Sequence, residues 1–536
     1  MHLSIFLSSL ALLPLGVHSG VVETFQSKCA NLAHTVTAEA KYDIHINIVE
    51  YLPAGSVINH TADGTNETCS LFASPTSLPV NICRLALKAA TSNSSSIILE
   101  TWLPENWSGR FLSTGNGGLS GCIQYSDIAY ATKFGFAAVG ANNGHNGTSG
   151  GAFFHQPEVL KDFVWRSLYT GVVLGKNITS QFYGKDKCKA MKSYYIGCST
   201  GGRQAWKAVQ SYPELFDGVI AGAPAIASNG LISFFGYAFQ SLGDNSSDTF
   251  LDTQNWETLH EEVLSQCDHL DGAVDGILED TRKCKPNLTK ILCENTSRPG
   301  CLSQAQVSAV EKVFSPVVVD GQVIASGQQH GDEVRMINAL YGPLPGTWLE
   351  EYFRFVIYQN LSWNRTMFSL QDAAVALKAN LFNVETFDGD LRAFRDRGAK
   401  VLHFHGQADE YLPVGNSDRY YDLVAKTMGS SNAELDEFYR YFRISGLGHC
   451  FGGPGTNYLG QHGGTAASDD PDDNMLMRIV EWVEHGKAPE FVRGTKFVND
   501  DPAQGVAFTR KHCKHPKVNV YKGRGNGTDE NGWHCV

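Results

Sequence analysis

The run Gly197-Cys198-Ser199-Thr200-Gly201 follows the apolar stretch Ser193-Tyr194-Tyr195-Ile196 and leads into Gly202-Arg203-Gln204-Ala205-Trp206. It reads as a strand, a sharp turn and a helix. G-x-S-x-G in that setting is a nucleophile elbow, in which the turn strains the backbone of its central residue. The residues two places away must be small, because strand and helix nearly touch there. Centring on Ser199 puts Gly197 and Gly201 at those places; centring on Cys198 would put Ile196 and Thr200 there, which are too bulky. Ser199 is therefore the candidate nucleophile, and Cys198 needs another role. The competing reading is a glycine-rich turn without chemistry, and the rest of the chain decides between them.

An elbow serine needs a base and a group that orients the base. In α/β-hydrolases these follow in the order Ser, Asp or Glu, His. The run Lys400-Val401-Leu402-His403-Phe404-His405-Gly406 reads as a buried strand and ends in Gln407-Ala408-Asp409-Glu410. An acid just past a strand's carboxyl end sits where such sheets place catalytic groups. Asp409 and Glu410 compete; Asp409 is favoured because it comes first and its shorter side chain holds an imidazole more rigidly. A further strand, Tyr441-Phe442-Arg443-Ile444, precedes the glycine-rich loop that carries His449. His449 would take the Ser199 proton and return it to the leaving group, with Asp409 fixing its tautomer. For the oxyanion, Thr200 supplies one backbone N–H, and Gly117 or Gly118 in Ser113-Thr114-Gly115-Asn116-Gly117-Gly118 supplies the other. His403 and His405, two apart on one strand, read as hydrogen-bonded core histidines; a metal corner there lacks a third ligand.

Cys198 precedes the serine and Cys450 follows the histidine, so a Ser199–His449 pairing brings the two sulfurs together as a disulfide. With this constellation the chain resembles the tannase and feruloyl esterase family of secreted ester hydrolases, and within it the fungal type-B feruloyl esterases. The similar stretches are Ser113–Gly118, Gly197–Gln204, Gln266–Gly276, Phe394–Gly398, Leu435–Arg440, Ile444–Cys450 and Trp533–Cys535. The resemblance implies an α/β-hydrolase core with an inserted lid, a calcium ion in that lid, and an aromatic-acid ester as substrate. It also implies that Cys29 pairs with Cys83 and Cys69 with Cys122, leaving Cys188 free. Cys267 with Cys284, Cys293 with Cys301 and Cys513 with Cys535 read as local pairs.

Strand-like and helix-like patterns alternate to about residue 225, which argues for a parallel sheet covered by helices. From about 229 to 386 the chain turns rich in aromatics, sequons and cysteines, and the alternation then resumes. That span is too long for a plain loop. It is expected to be a lid domain, with residues 20–228 and 387–536 forming the catalytic domain. Within it, Asp268, Asp271 and Asp275 with intervening glycines suit a hard cation such as Ca²⁺. The spacing is not that of an EF-hand. The carbonyls of Ala273 and Ile277 would complete the shell, as the resemblance also implies. A solvated acidic turn is the alternative. The aromatics of this span read mainly as core, with one or two lining a pocket for a phenolic ring.

The chain opens with an apolar run to Val17, followed by small residues, and residues 1–19 read as a secretory signal peptide, although no Lys or Arg precedes the run. No later segment approaches the length of a membrane span. Twelve N-x-S/T sequons and 13 cysteines fit a secreted glycoprotein with six disulfides and one free thiol. A net charge of −12 without a basic patch argues against nucleic acid as a partner. The expected function is a secreted serine esterase that releases ferulic or related hydroxycinnamic acids from plant cell-wall polysaccharide. A tannase acting on galloyl esters is the alternative within the class. A non-catalytic, calcium-stabilised carbohydrate-binding glycoprotein is the alternative outside it, and a serine peptidase on the same fold is weaker still.

Overall fold

The computed structural model describes residues 24–39, 42–70 and 74–536. The expected signal peptide, residues 1–19, lies outside the described residues. The alternating segments build one nine-stranded sheet. Its strands are β1 (Ile44–Leu52), β2 (Ile82–Ala90), β3 (Ser96–Pro104), β4 (Arg110–Thr114), β5 (Phe136–Ala141), β6 (Lys192–Cys198), β7 (Gly218–Gly222), β8 (Lys400–Gly406) and β9 (Tyr439–Ile444). In space the order is β1-β2-β3-β5-β4-β6-β7-β8-β9. The first three strands and the β3–β5 step pair antiparallel; every ladder from β5 to β9 is parallel.

The parallel strands are continuous apolar runs because both of their faces are covered. Every residue of β7 and β9 is buried, whereas edge strand β1 is mostly half-buried or exposed. On one face Leu168, Val172 and Ile178 of the helix Ser167–Tyr183 pack with Ala205, Trp206 and Val209 of the helix Thr200–Ser211. On the other, Ile128 of Tyr125–Lys133 and Leu476, Ile479 and Val480 of Met475–His485 close the sandwich. Truncating a side chain as large and fully buried as Trp206 would cost about 3–5 kcal/mol.

Between β7 and β8 the chain adds nothing to the central sheet. It forms the helices Ser228–Leu242, Thr253–Cys267, Gln304–Val313, Glu333–Tyr341 and Leu370–Ala379 and the hairpin Val317–Val319 with Gln322–Ala325. Asp252 and Ser303 start two of these helices with reciprocal capping boxes. Buried side chains from Leu231 to Val384 form one cluster with Leu119, Phe163 and Leu412, which follow β4, precede β6 and follow β8. The insertion therefore packs over the carboxyl end of the sheet.

All six expected disulfides are present: Cys29–Cys83, Cys69–Cys122, Cys198–Cys450, Cys267–Cys284, Cys293–Cys301 and Cys513–Cys535. Cys188 is the unpaired cysteine. Ten of the twelve sequon asparagines are exposed; Asn177 and Asn364 are half-buried. Among the described residues no helix is long and apolar enough to cross a membrane.

Candidate active site

Strand β6 delivers Ser199 into a backbone of φ 63° and ψ −122°, a conformation in which a non-glycine residue is strained. The strain is held by hydrogen bonds: Ser199 N–H donates to Gly222 O at 3.0 Å, and Ser199 O accepts from Arg203 N and Ala225 N, each at 3.0 Å. A Cβ on Gly197 would stand 2.8 Å from the backbone of Gly201, and one on Gly201 would stand 3.2 Å from Asn116 O. The small flanks predicted around Ser199 are thus required by the close approach of strand, helix and the loop after β4.

Asp409 leaves the carboxyl end of β8 with its side chain fully buried. Its Oδ1 accepts the N–H groups of Tyr411 (3.0 Å) and Leu412 (2.8 Å), which aims Oδ2 at His449 Nδ1, 2.8 Å away. Burial alone would raise the Asp409 pKa, but the charge of His449 and the hydrogen bonds of His405 and His449 outweigh it and hold the carboxyl well below its ordinary range. Burial would likewise lower the His449 pKa; the charge and hydrogen bond of Asp409, with the charge of Glu410, hold it above the ordinary imidazole value. Glu410 makes no hydrogen bond to the imidazole ring. Its Oε2 accepts the backbone N–H of His449 at 3.1 Å, and its Oε1 pairs with Arg335 from the insertion.

Ser199 and His449 are linked through their neighbours, since Cys198 and Cys450 form a disulfide with Cα atoms 6.0 Å apart. The Ser199 hydroxyl makes no direct hydrogen bond to the imidazole in this geometry, a contact that commonly tightens only on substrate binding. Ser199 and Thr200 open onto a cavity walled by Leu119, Phe163, Leu231, Ile232, Phe235 and Leu412. Gly118 lines it and Gly117 does not. Gly118 has φ +55°, and its carbonyl accepts the Thr200 hydroxyl at 2.7 Å, which ties the two oxyanion candidates together. Of the insertion's aromatics, Phe235, Trp348 and Tyr352 reach the cavity, while Phe234, Phe353 and Trp363 are buried in the insertion's core.

The sequence matches the tannase and feruloyl esterase family over residues 82–536. A curated relative from Aspergillus terreus, described as "Probable feruloyl esterase B-2", is 48% identical over 516 residues, covering 96% of each chain. This chain belongs to the tannase and feruloyl esterase family. Two solved structures share its α/β-hydrolase fold: an esterase from Aspergillus oryzae, with TM-score 0.91 and 48% identity, and feruloyl esterase B from Aspergillus oryzae, with TM-score 0.90 and 43% identity. Each covers 96% of this chain and 100% of its own.

In this family member the acidic loop lies between Cys267 and Cys284. Asp268 accepts Gly276 N–H at 3.1 Å; Asp271 accepts the N–H groups of Ala273 (3.1 Å) and Glu279 (3.0 Å). Asp275 accepts Ile277 N–H at 3.1 Å and pairs with Arg510 at 2.6 Å. Burial, with the Asp275 charge adding to it, holds the Asp268 pKa up, and burial with the charges of Glu279 and Asp275 pushes Asp271 up to about 7. Carboxylates held up by burial and by neighbouring negative charge have the chemistry that a hard cation binds. Among the described residues no three His, Cys, Asp or Glu side chains are grouped to hold a metal by themselves.

Three further residues join the site without a motif that marks them. His405 Nε2 lies 3.1 Å from Asp409 Oδ2, Arg335 reaches Glu410 from 75 residues away, and Arg203 lines the cavity while donating to Phe163 O (3.1 Å) and Val164 O (3.0 Å). The spacing of His405 and Asp409, four apart across a strand end, was the one available hint.

Proposed function

We propose that this chain is a serine carboxylic-ester hydrolase that releases ferulic or related hydroxycinnamic acids from plant cell-wall polysaccharide esters. The observation that carries the reading is the His449 Nδ1–Asp409 Oδ2 hydrogen bond of 2.8 Å, anchored by disulfide to a strained elbow serine that opens on an apolar cavity. Ser199 Oγ attacks the acyl carbon while its proton passes to His449 Nε2. Asp409 holds the proton on Nδ1 and stabilises the imidazolium. The N–H groups of Thr200 and Gly118 receive the oxyanion. Collapse expels the sugar hydroxyl with the proton from His449, and water then cleaves the acyl-enzyme by the same steps reversed.

The names of the similar proteins support a hydroxycinnamoyl substrate. So does the apolar wall, which suits a cinnamoyl ring better than a galloyl ring with three hydroxyls. Residues 229–386 act as a lid that supplies much of this wall. Ca²⁺, held by Asp268, Asp271 and Asp275 with the Ala273 and Ile277 carbonyls, is structural and neutralises the loop's charge. Six disulfides and the exposed sequons support secretion of the chain. Comparing hydrolysis of methyl ferulate, methyl gallate and a peptide anilide tests the reading: methyl ferulate should be turned over fastest. Preference for methyl gallate would make the protein a tannase, and inertness to both esters would end the esterase reading.

A further inference from the structure

Behind Asp409 lies a buried polar chain that the hydrolytic steps do not use. Tyr439 on β9, His403 and His405 on β8, and Ser417 on the following helix Gly415–Met428 are all buried. Tyr439 Oη lies 2.9 Å from His403 Nδ1, and His403 Nε2 lies 2.9 Å from Ser417 Oγ. Ser417 Oγ lies 2.7 Å from His405 Nδ1, and His405 Nε2 lies 3.1 Å from Asp409 Oδ2.

The polarity of this chain is set from the Asp409 end. His405 Nε2 faces two acceptors, Asp409 Oδ2 and Leu412 O, each at 3.1 Å, so it carries the proton. As an imidazole with one ring N–H, His405 then has no proton left for Nδ1. Its Nδ1 is then a lone pair and accepts the Ser417 proton. Ser417, its one proton spent, accepts from His403 Nε2–H, and His403 Nδ1 accepts from Tyr439. Burial keeps His403 neutral, with the neighbouring His405 and His515 adding to the effect, and burial keeps the Tyr439 proton in place. Tyr441 stacks on His403 at 4.5 Å and Trp206 meets it edge-on at 5.5 Å, which leaves the ring no room to turn.

We propose that Tyr439, His403, Ser417 and His405 form a one-way hydrogen-bond relay that fixes His405 as the Nε2–H tautomer and so holds the Asp409 carboxylate in line with His449. The four are positioning residues, and the proposal rests on the reading of Asp409 and His449 as the catalytic pair. Without the Ser417 proton, His405 is free to place its own proton on Nδ1 and turn a lone pair toward Asp409, which repels the carboxylate. None of the four lines the substrate cavity, so the effect falls on turnover and not on binding.

The test is a double-mutant cycle on methyl ferulate hydrolysis. Ser417→Ala should lower kcat about ten- to a hundredfold, as small displacements of catalytic groups do, with KM changed by less than about twofold. His405→Gln presents an amide N–H toward Asp409 that needs no Ser417 to orient it. In that background, adding Ser417→Ala should cost less than about twofold, because coupled residues are not additive. Equal losses in both backgrounds would make Ser417 merely structural and overturn the relay. If Ser417→Ala does not fold, Tyr439→Phe, which removes one hydroxyl at the far end, should still lower kcat at unchanged KM. An unaltered kcat in Tyr439→Phe would then overturn the relay. Asp409→Ala runs alongside: if it retains full activity, the catalytic reading fails first and separately.

Discussion

Cys198 and Cys450 are 252 residues apart in sequence and are joined by a disulfide with Cα atoms 6.0 Å apart, one beside Ser199 and the other beside His449. The bond ties the elbow to a loop that would otherwise hold its histidine loosely, since Gly446, Gly448, Gly452 and Gly453 surround it. Replacing both cysteines by alanine should lower kcat on methyl ferulate by about a hundredfold, the cost of displacing a catalytic group by about 1 Å, with a smaller change in KM. In the chain-entropy description, closing so long a loop also stabilises the fold by about 5 kcal/mol, so the melting temperature should fall too. Peptide mapping without reductant checks the bond directly; two separately alkylated thiols in active enzyme would refute it.

Ser199→Ala should leave the melting temperature nearly unchanged, because the side chain loses one cavity-facing hydroxyl and little packing. Esterase activity should fall by at least about a thousandfold, as removal of a nucleophile does elsewhere. Steady-state kinetics of the purified variant decide it, and near-normal turnover would refute the mechanism.

The two adjacent acids should separate cleanly. Asp409→Ala removes the Nδ1 partner of His449 and should cost about 10⁴-fold in kcat. Glu410→Ala removes an acceptor for the His449 backbone N–H and the partner of Arg335, and should cost about a hundredfold or less. The reverse order would assign the catalytic role to Glu410.

The pH dependence follows from His449, which must be neutral to accept the Ser199 proton. Asp409, Glu410 and Arg335 face it, with the Tyr411 ring edge-on at 5.5 Å, and the two carboxylates hold its pKa above the ordinary value. The acid limb of kcat/KM should therefore rise through a pKa above about 6.5. The linkage to stability has two signs. The raised His449 pKa contributes stability that is full below about pH 6.5 and is lost as pH climbs through the folded value. The depressed Asp409 pKa contributes stability present above about pH 4 and lost as pH falls through its folded value. A pH–rate profile and melting curves across pH check both.

A calcium ion in the 268–277 loop should raise the melting temperature by mass action, about 2.7 kcal/mol at a hundredfold excess over Kd. Chelation should lower the melting temperature, Ca²⁺ should restore it, and metal analysis should find calcium in the purified protein. Asp271→Asn should abolish the response. An unmoved melting curve together with a calcium-free protein would make the loop an acidic turn braced by its own N–H groups and Arg510.

The sequence by itself determined the chemistry that depends on local geometry. The glycine spacing around Ser199 has one steric solution, because Gly201 approaches the loop after β4 at 3.2 Å from a would-be Cβ. The buried strands were legible as apolar runs covered on both faces, and the chain order of Ser199, Asp409 and His449 followed from them. The sequence favoured Asp409 over Glu410 but left Gly117 and Gly118 open, and the tertiary structure supplies the physical reason for each choice. Asp409 rather than Glu410 faces His449 because the N–H groups of Tyr411 and Leu412 aim one carboxylate while Arg335 claims the other. Gly118 rather than Gly117 reaches the cavity because the Thr200 hydroxyl binds its carbonyl. The relay behind Asp409 joins β8, β9 and a helix through side chains whose tautomers depend on one another. Such choices rest on contacts between segments far apart in the chain, and no local pattern of residues encodes them.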